Sequence, residues 1–162
     1  MKIPQVIFIP AILIAASIAA NAQGPATKPA ASAFDESLAR KLGADDYGMR
    51  KYVLCVLKTG PKDAEIKEKP DRDKIFAGHM ANIGRLASEG KLAVAGPFGA
   101  NDKGYRGIFV FAVETVEEAQ KLVETDPVIK SGLMVADLTP WYATAAMMVV
   151  NDTHNKIAKK SF

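Results

Sequence analysis

The hydrophobic positions of this chain form strand-like and helix-like blocks whose order predicts a β-α-β-β-α-β domain. Residues 52–57 are a continuous apolar run, which is typical of a buried strand. Three later blocks also have strand character, at 91–98, 107–113 and 133–138. Two segments between them have helical spacing, at about 71–89 and 115–125.

Local end signals support both helices. Asp71 is expected to cap the first helix, and Gly90 is expected to end it in the left-handed conformation. Thr115 and Glu118 match a capping box at the start of the second helix. Pro127 disfavours helical geometry at the residue before it, so this helix should end near residue 125.

The predicted order is that of the ferredoxin-like α+β fold, an antiparallel four-stranded sheet with both helices on one face. The other face would then be open, although its strands are apolar. We expect a second copy of the chain to cover it, which predicts a homodimer. The apolar segment 145–150 is expected to cover part of that interface.

The N-terminal residues 1–22 are predicted to be a signal peptide. Lys2 precedes an apolar run, and Ala20-Asn21-Ala22 forms a small-residue cleavage site. The alternative is an uncleaved membrane anchor, but two prolines interrupt a run that is already short for spanning a bilayer. A periplasmic or secreted protein with no membrane association after cleavage is therefore expected.

The remaining chain divides by composition. Residues 23–50 are predicted to form a flexible linker and an N-terminal arm that includes a short helix at 34–42. The domain is expected at 51–142 and a C-terminal tail at 143–162. A net charge of +3 over 162 residues is too weak to indicate a nucleic-acid partner.

Cys55 is the single cysteine, so no internal disulfide is possible. It lies within the first apolar run, where a buried thiol is the simpler interpretation. A nucleophilic role would need a base or a positive charge beside it, and the neighbouring residues supply neither.

Two residues suggest acid/base chemistry. His79 falls inside the apolar stripe of the first long helix, where it is either a packed core residue or a general base at a pocket. Asp126 precedes Pro127, which is typical of a helix cap. In this fold the same loop can approach the first helix, so Asp126 could instead orient the imidazole of His79 or transfer a proton itself.

Four further residues are candidates for binding a substrate. Gly96 and Pro97 end a strand, where they either make a turn or form a wall at which a ligand meets bare backbone. Trp141 is either an aromatic plug over the core or the roof of a pocket. Asn82, one helical turn after His79, either reaches that pocket or faces solvent. We predict no metal, because two distant histidines and one cysteine make no ligand cluster, and no organic cofactor.

The sequence resembles the YciI-like family, also called the YCII-related domain. The resemblance is carried by residues 78–92, by Ala95-Gly96-Pro97, by Glu117-Glu118-Ala119 and by Asp126-Pro127. Gly132-Leu133 and Pro140-Trp141 add to it, so that it spans roughly residues 52–142. The chain is similar to secreted members from Gram-negative bacteria of the Bacteroidetes type.

The resemblance implies a ferredoxin-like, dimeric α+β barrel with a His-Asp site at His79 and Asp126. Some relatives are cofactor-free dehydrochlorinases of chlorinated hydroxyquinols. Two positions depart from the family pattern. Phe76 stands where many members have an arginine, and Ile108 stands where a serine is frequent. Both changes are expected to remove polar groups from the pocket.

Two functions therefore remain open. The first is a cofactor-free enzyme in which the His79–Asp126 pair catalyses elimination or isomerisation of a small organic molecule. The alternative is a non-catalytic periplasmic binding or interaction module, in which His79 forms a hydrogen bond to a small ligand.

Overall fold

The computed structural model describes residues 33–160. The predicted signal peptide at 1–22 and the first part of the predicted linker, residues 23–32, lie outside this range. The elements in chain order are α1 (Glu36–Leu42), β1 (Met49–Thr59), α2 (Lys69–Ser88), β2 (Leu92–Pro97), β3 (Tyr105–Phe111), α3 (Val116–Val123), α4 (Pro127–Lys130), β4 (Met134–Thr144), the 3-10 helix η1 (Ala145–Val149) and α5 (Val150–Ile157).

The four strands form one sheet in the order β2-β3-β1-β4, and each neighbouring pair is antiparallel. Two β-α-β units interleave in this order, which confirms the predicted ferredoxin-like α+β fold. Helices α2, α3 and α4 pack on one face of the sheet, here called the helix face. The opposite face is called the open face.

Alternation along β1 separates the two faces. Val53, Cys55 and Leu57 belong to the main core beneath the helices. Tyr52 and Leu54 point the other way, into a smaller cluster on the open face. Val128 of α4 and Phe109 of β3 are also part of the main core, so this core lies directly under the loop that carries Asp126.

Several predicted ends are confirmed. Gly90 has a φ of 67° and ends α2 in the left-handed conformation. The Thr115 hydroxyl accepts the Glu118 amide, and the Glu118 carboxylate accepts the Thr115 amide, which completes the capping box of α3. Asp71, however, is not the cap of α2. The helix begins at Lys69, because Pro70 fits the first helical turn, where its missing N–H is not needed.

The sheet extends beyond the predicted limits of the domain. β1 begins at Met49, and β4 continues to Thr144, whereas strands at 52–57 and 133–138 were expected. Long pairing between these two strands, from Met49 opposite Thr144 to Thr59 opposite Met134, explains both differences. A local hydrophobicity pattern does not contain this pairing, because it depends on two segments that are distant in sequence.

The chain after β4 folds back on its own sheet. Met147 and Met148 of η1 pack against the open-face cluster of Tyr52, Ala93, Val110 and Ala143. The Asn151 side chain of α5 donates a hydrogen bond to the Leu92 carbonyl at 2.7 Å. The tail therefore covers part of the open face within one chain.

No helix of residues 33–160 is long and apolar enough to cross a bilayer.

Cys55 is fully buried, and burial raises the pKa of its thiol from 9.0 to about 12. Repulsion by the carboxylates of Asp126 and Asp137 adds to this rise. The folded protein thus keeps the neutral thiol at pH values where the unfolded chain already ionises it. Cys55 is a buried core residue, as the simpler interpretation of the sequence held.

We expect this difference in the thiol pKa to lower the free energy of unfolding as the pH rises from 9 towards 12. At about pH 10 the loss from Cys55 alone should be about 1.4 kcal/mol relative to about pH 8. Urea denaturation of wild type and Cys55→Ala at both pH values measures it. The Ala variant should be less stable at both, with a smaller pH-dependent loss, and identical losses would contradict the prediction.

Candidate active site

The central feature of the site is a hydrogen-bonded pair between α2 and the start of α4. His79 Nδ1 lies 3.0 Å from Asp126 Oδ1 and 2.8 Å from Asp126 Oδ2. Asp126 is fully buried, and His79 is 9% exposed. The two residues are 47 positions apart in the sequence, so only the packing of α2 on α4 brings them together.

The close packing of α2 on α4 depends on a glycine next to the histidine. A β-carbon added to Gly78 would lie 2.9 Å from Cγ of Pro127, closer than ordinary van der Waals contact. Because Gly78 has no side chain, the first turn of α4 can approach α2 at this point. Asp126 immediately precedes that turn, so the approach brings its carboxylate within reach of His79.

The carboxylate of Asp126 accepts hydrogen bonds from three different groups. Besides His79, the Val128 amide donates to Oδ1 at 3.1 Å, which is the capping bond of α4. The Asn82 side-chain amide donates a longer bond to Oδ2 at 3.4 Å. The helix cap and the histidine partner, which the sequence left as alternatives, are therefore the same residue in this structure.

Asn82 supports the pair and does not line the pocket, in contrast to its predicted role as a substrate contact. It is buried, and its carbonyl oxygen accepts Arg85 Nη2 at 2.8 Å and Thr125 Oγ1 at 3.0 Å. His79, Asn82 and Arg85 are spaced by three residues and share one side of α2. That spacing was the available signal for a polar chain leading to Asp126.

Two aromatic rings fix the plane of the imidazole. The ring of Phe109 stacks on His79 with centroids 5.8 Å apart, and Phe76 meets His79 edge-on at 6.2 Å. With Nδ1 donating to Asp126, the neutral ring has its lone pair on Nε2. Nε2 makes no hydrogen bond within residues 33–160, so it is available as a base at the cavity wall.

A mostly apolar cavity of about 430 Å³ adjoins the imidazole. Its walls come from β1, α2, β2, β3 and the start of β4, together with Phe98 beyond β2. The lining residues are Leu57, Phe76, His79, Met80, Ile83, Ala95, Gly96, Pro97, Phe98, Arg106, Gly107, Phe109 and Met134. The volume falls in the usual range for a small-molecule site.

The predicted site residues are distributed as follows. His79, Gly96 and Pro97 line the cavity, whereas Asp126 lies behind His79. Trp141 does not roof the cavity. It lies in β4 opposite Tyr52, on the open face of the sheet, and is 40% exposed. The prediction failed because Trp141 was placed after the fourth strand, while the strand continues through it.

The two departures from the family pattern also separate in space. Phe76 lines the cavity and adds to its apolar wall. Ile108 pairs with Val56 on the open face and is absent from the cavity lining, so it removes no polar group from this pocket. Phe98, which follows the predicted wall residues Gly96 and Pro97, also lines the cavity. Arg106 lines it too and was not predicted to, because its place depends on how β3 pairs with β1.

No cluster of three His, Cys, Asp or Glu side chains within residues 33–160 is arranged to hold a metal ion.

The fold and the site define a ferredoxin-like α+β domain with a buried His–Asp pair beside an apolar cavity. The profile of the YCII-related domain matches residues 52–142, more than half of the chain, and the chain belongs to that family. No curated protein matches the chain.

One similar solved structure is the 5-chloro-2-hydroxyhydroquinone dehydrochlorinase from Burkholderia phenoliruptrix AC1100, in complex with 2,5-dihydroxybenzoquinone. It is 27% identical, and the match covers 56% of this chain and 92% of that chain with a TM-score of 0.41. Because this structural likeness is partial, the fold is assigned from the observed strand order.

We expect Gly78→Ala to push α4 away from α2, because the new methyl group would lie within 2.9 Å of the rigid Pro127 ring. The free energy of unfolding should fall by about 1–3 kcal/mol, as in other overpacked cores. Urea denaturation measures the change.

Gly84→Ala is the matched control, since Gly84 lies in the same helix with open space around an added methyl group. This variant should gain up to about 1 kcal/mol from helix propensity. If both variants were stabilised alike, close packing at Gly78 would not be the reason for the glycine.

Proposed function

We propose that this domain is a cofactor-free enzyme that removes a proton from a small organic molecule and thereby catalyses elimination or isomerisation. The supporting observation is that an imidazole, oriented through Nδ1 by a fully buried carboxylate, lines a mostly apolar cavity. A histidine held in this way serves as a general base when its free nitrogen meets an acidic C–H bond.

In the proposed reaction His79 Nε2 accepts the proton, and the C–H electron pair moves into the substrate. Loss of a leaving group from the adjacent carbon completes an elimination. Return of a proton from the imidazolium to a different carbon completes an isomerisation. The imidazolium formed in between is stabilised by Asp126, whose carboxylate already accepts the Nδ1–H bond.

The walls of the cavity suit this chemistry. Phe76, Phe109 and Met134 surround the site with apolar surface. Fewer water molecules then compete for the base, and electrostatic interactions are stronger than in bulk water. Gly96 and Pro97 of strand β2 also line the cavity and are proposed as substrate contacts, whereas Asn82 is proposed to position Asp126.

The experiment follows exchange of carbon-bound hydrogen for deuterium in D₂O by NMR, over a panel of small ketones, enols and halogenated hydroquinones. Incorporated deuterium detects abstraction followed by reprotonation, and new product signals in the same spectra detect an elimination. For a compound that wild type exchanges, His79→Gln should reduce the rate by about 10²–10⁴-fold, because it removes the base. Asp126→Asn should reduce it too, because the amide no longer stabilises the imidazolium.

Thermal melts separate catalysis from folding in this experiment. The His79→Gln variant should be less stable than wild type, because Asp126 loses a buried partner, and exchange is therefore compared at a temperature at which both proteins are folded. If wild type exchanges nothing on the panel but binds some of its members through His79, the non-catalytic binding module is the better description. Loss of the folded state in both variants would assign the pair a structural role.

We further propose that the protein is an exported homodimer of a Bacteroidetes-type bacterium. The N-terminal pattern of Lys2 followed by an apolar run supports export, and a mature chain that did not begin at Gln23 would contradict it. The dimer is supported by apolar side chains of the open face that remain half-buried or exposed in one chain: Leu54, Val94, Ile108 and Trp141.

We expect Ile108→Lys to weaken dimerisation by roughly 100-fold or more, because each copy would bury an unpaired charge that costs about 3–5 kcal/mol. Sedimentation equilibrium measures the association. Ile108→Val is the control that keeps the apolar surface and should remain dimeric. A wild-type protein that stays monomeric at micromolar concentration would refute the dimer.

A further inference from the structure

Two of the residues that line the cavity have ionisable side chains, His79 and Arg106. Arg106 is the one that always carries a charge. Its backbone carbonyl accepts the Phe98 amide at 3.0 Å. Its guanidinium, by contrast, forms no hydrogen bond or ion pair within residues 33–160. Arg106 is half-buried, so its guanidinium is accessible from the cavity and is free to pair with an anionic ligand there.

The backbone places Arg106 at an irregular position of β3. Leu57 pairs with Gly107, but the next residue of β1, Lys58, pairs with Tyr105, so Arg106 is an extra residue on its strand. Such a β-bulge redirects the side chain of the extra residue and is frequent beside functional sites. Regular alternation would have placed Arg106 on the open face with Ile108.

We propose that Arg106 binds a carboxylate of the substrate, so that the ligand of this cavity is a planar, apolar carboxylic acid. This inference rests on the proposed function for the reacting end, where His79 acts, and adds the group that anchors the other end. The guanidinium offers two parallel N–H donors that match the two oxygens of a carboxylate.

The backbone positions beside the two groups leave room for such a molecule. Phe109, on which the His79 ring stacks, is three residues from Arg106 along β3. At the rise of an extended strand, the backbone positions of Arg106 and Phe109 are about 10 Å apart. One conjugated chain or one substituted ring can bridge this distance while its flat surface contacts Phe109, Phe76 and Met134.

The remaining walls favour a carboxylate over a phosphate. A phosphate dianion needs several donors, whereas the other lining side chains besides His79 are apolar. A single carboxylate would instead neutralise the one guanidinium. Binding would therefore pair a charge that has no partner in residues 33–160, which makes the anionic ligand preferable to a neutral molecule of the same shape.

The test uses trans-cinnamate and its neutral isostere cinnamamide as probes of the full mature protein. Dissociation constants come from titrations that follow the backbone amide signals of Gly96 and Gly107, both of which line the cavity. Wild type should bind cinnamate at least about tenfold more tightly than cinnamamide, as expected for a charge-assisted pair.

The variants identify the source of this preference. Arg106→Gln should lose the preference while its affinity for cinnamamide stays unchanged, and Arg106→Lys should retain part of it. Lys103→Gln is the matched control. It makes the same change in net charge at an exposed position of the same hairpin, outside the cavity lining, and should keep the full preference.

Three results would overturn the proposal: equal binding of the two probes, no binding of either, or a preference that survives in Arg106→Gln. These results are independent of turnover. If the preference depends on Arg106 while no compound undergoes exchange, the carboxylate site stands and the proposed catalysis fails. If neutral compounds exchange through His79 and no acid preference exists, the catalysis stands and the role of Arg106 fails.

Discussion

The hydrogen bonds between His79 and Asp126 are the interaction on which the arrangement of the site depends. A carboxylate with no solvent exposure is tolerated only if donors replace the lost water. Here the donors come from α2, through His79 and Asn82, and from the backbone of α4, through Val128. The charge therefore ties two helices together, and losing one partner of such a pair typically costs about 3–5 kcal/mol.

The same pair gives the imidazole a direction. Asp126 holds one ring nitrogen, and the rings of Phe76 and Phe109 hold the ring plane. The second ring nitrogen, Nε2, is therefore held in a fixed position at the edge of the cavity. The side of the pair away from the cavity is closed by Asn82, which is itself bonded to Arg85 and Thr125. Polar groups thus lie behind the histidine, and apolar walls lie in front of it.

The order of strands and helices could be predicted from the sequence because each element carries a local signal. The capping box of Thr115 and Glu118 and the left-handed Gly90 needed only their immediate neighbours. The predicted ends of the strands were less accurate. Because β4 was expected to end at residue 138, Trp141 was predicted to roof a pocket, whereas it lies on the open face of the sheet. Its position depends on pairing with Tyr52, a residue almost ninety positions earlier.

The residues of the candidate site were likewise predictable only where they carry a local signal. The contact between His79 and Asp126 could be predicted from an apolar stripe, an Asp-Pro step and a family resemblance. The buried position of Asn82 was not predictable, since it depends on an acceptor from another helix. The place of Arg106 depends on a bulge that appears only when β3 pairs with β1.

By itself, then, the sequence determined which segments are helix or strand and which residues can exchange protons, because backbone preference and side-chain chemistry are local properties. Tertiary structure decided which of those residues meet, which face of the sheet each one occupies and where the cavity lies. These are distances between segments far apart in the chain, and they are set by packing of the complete core.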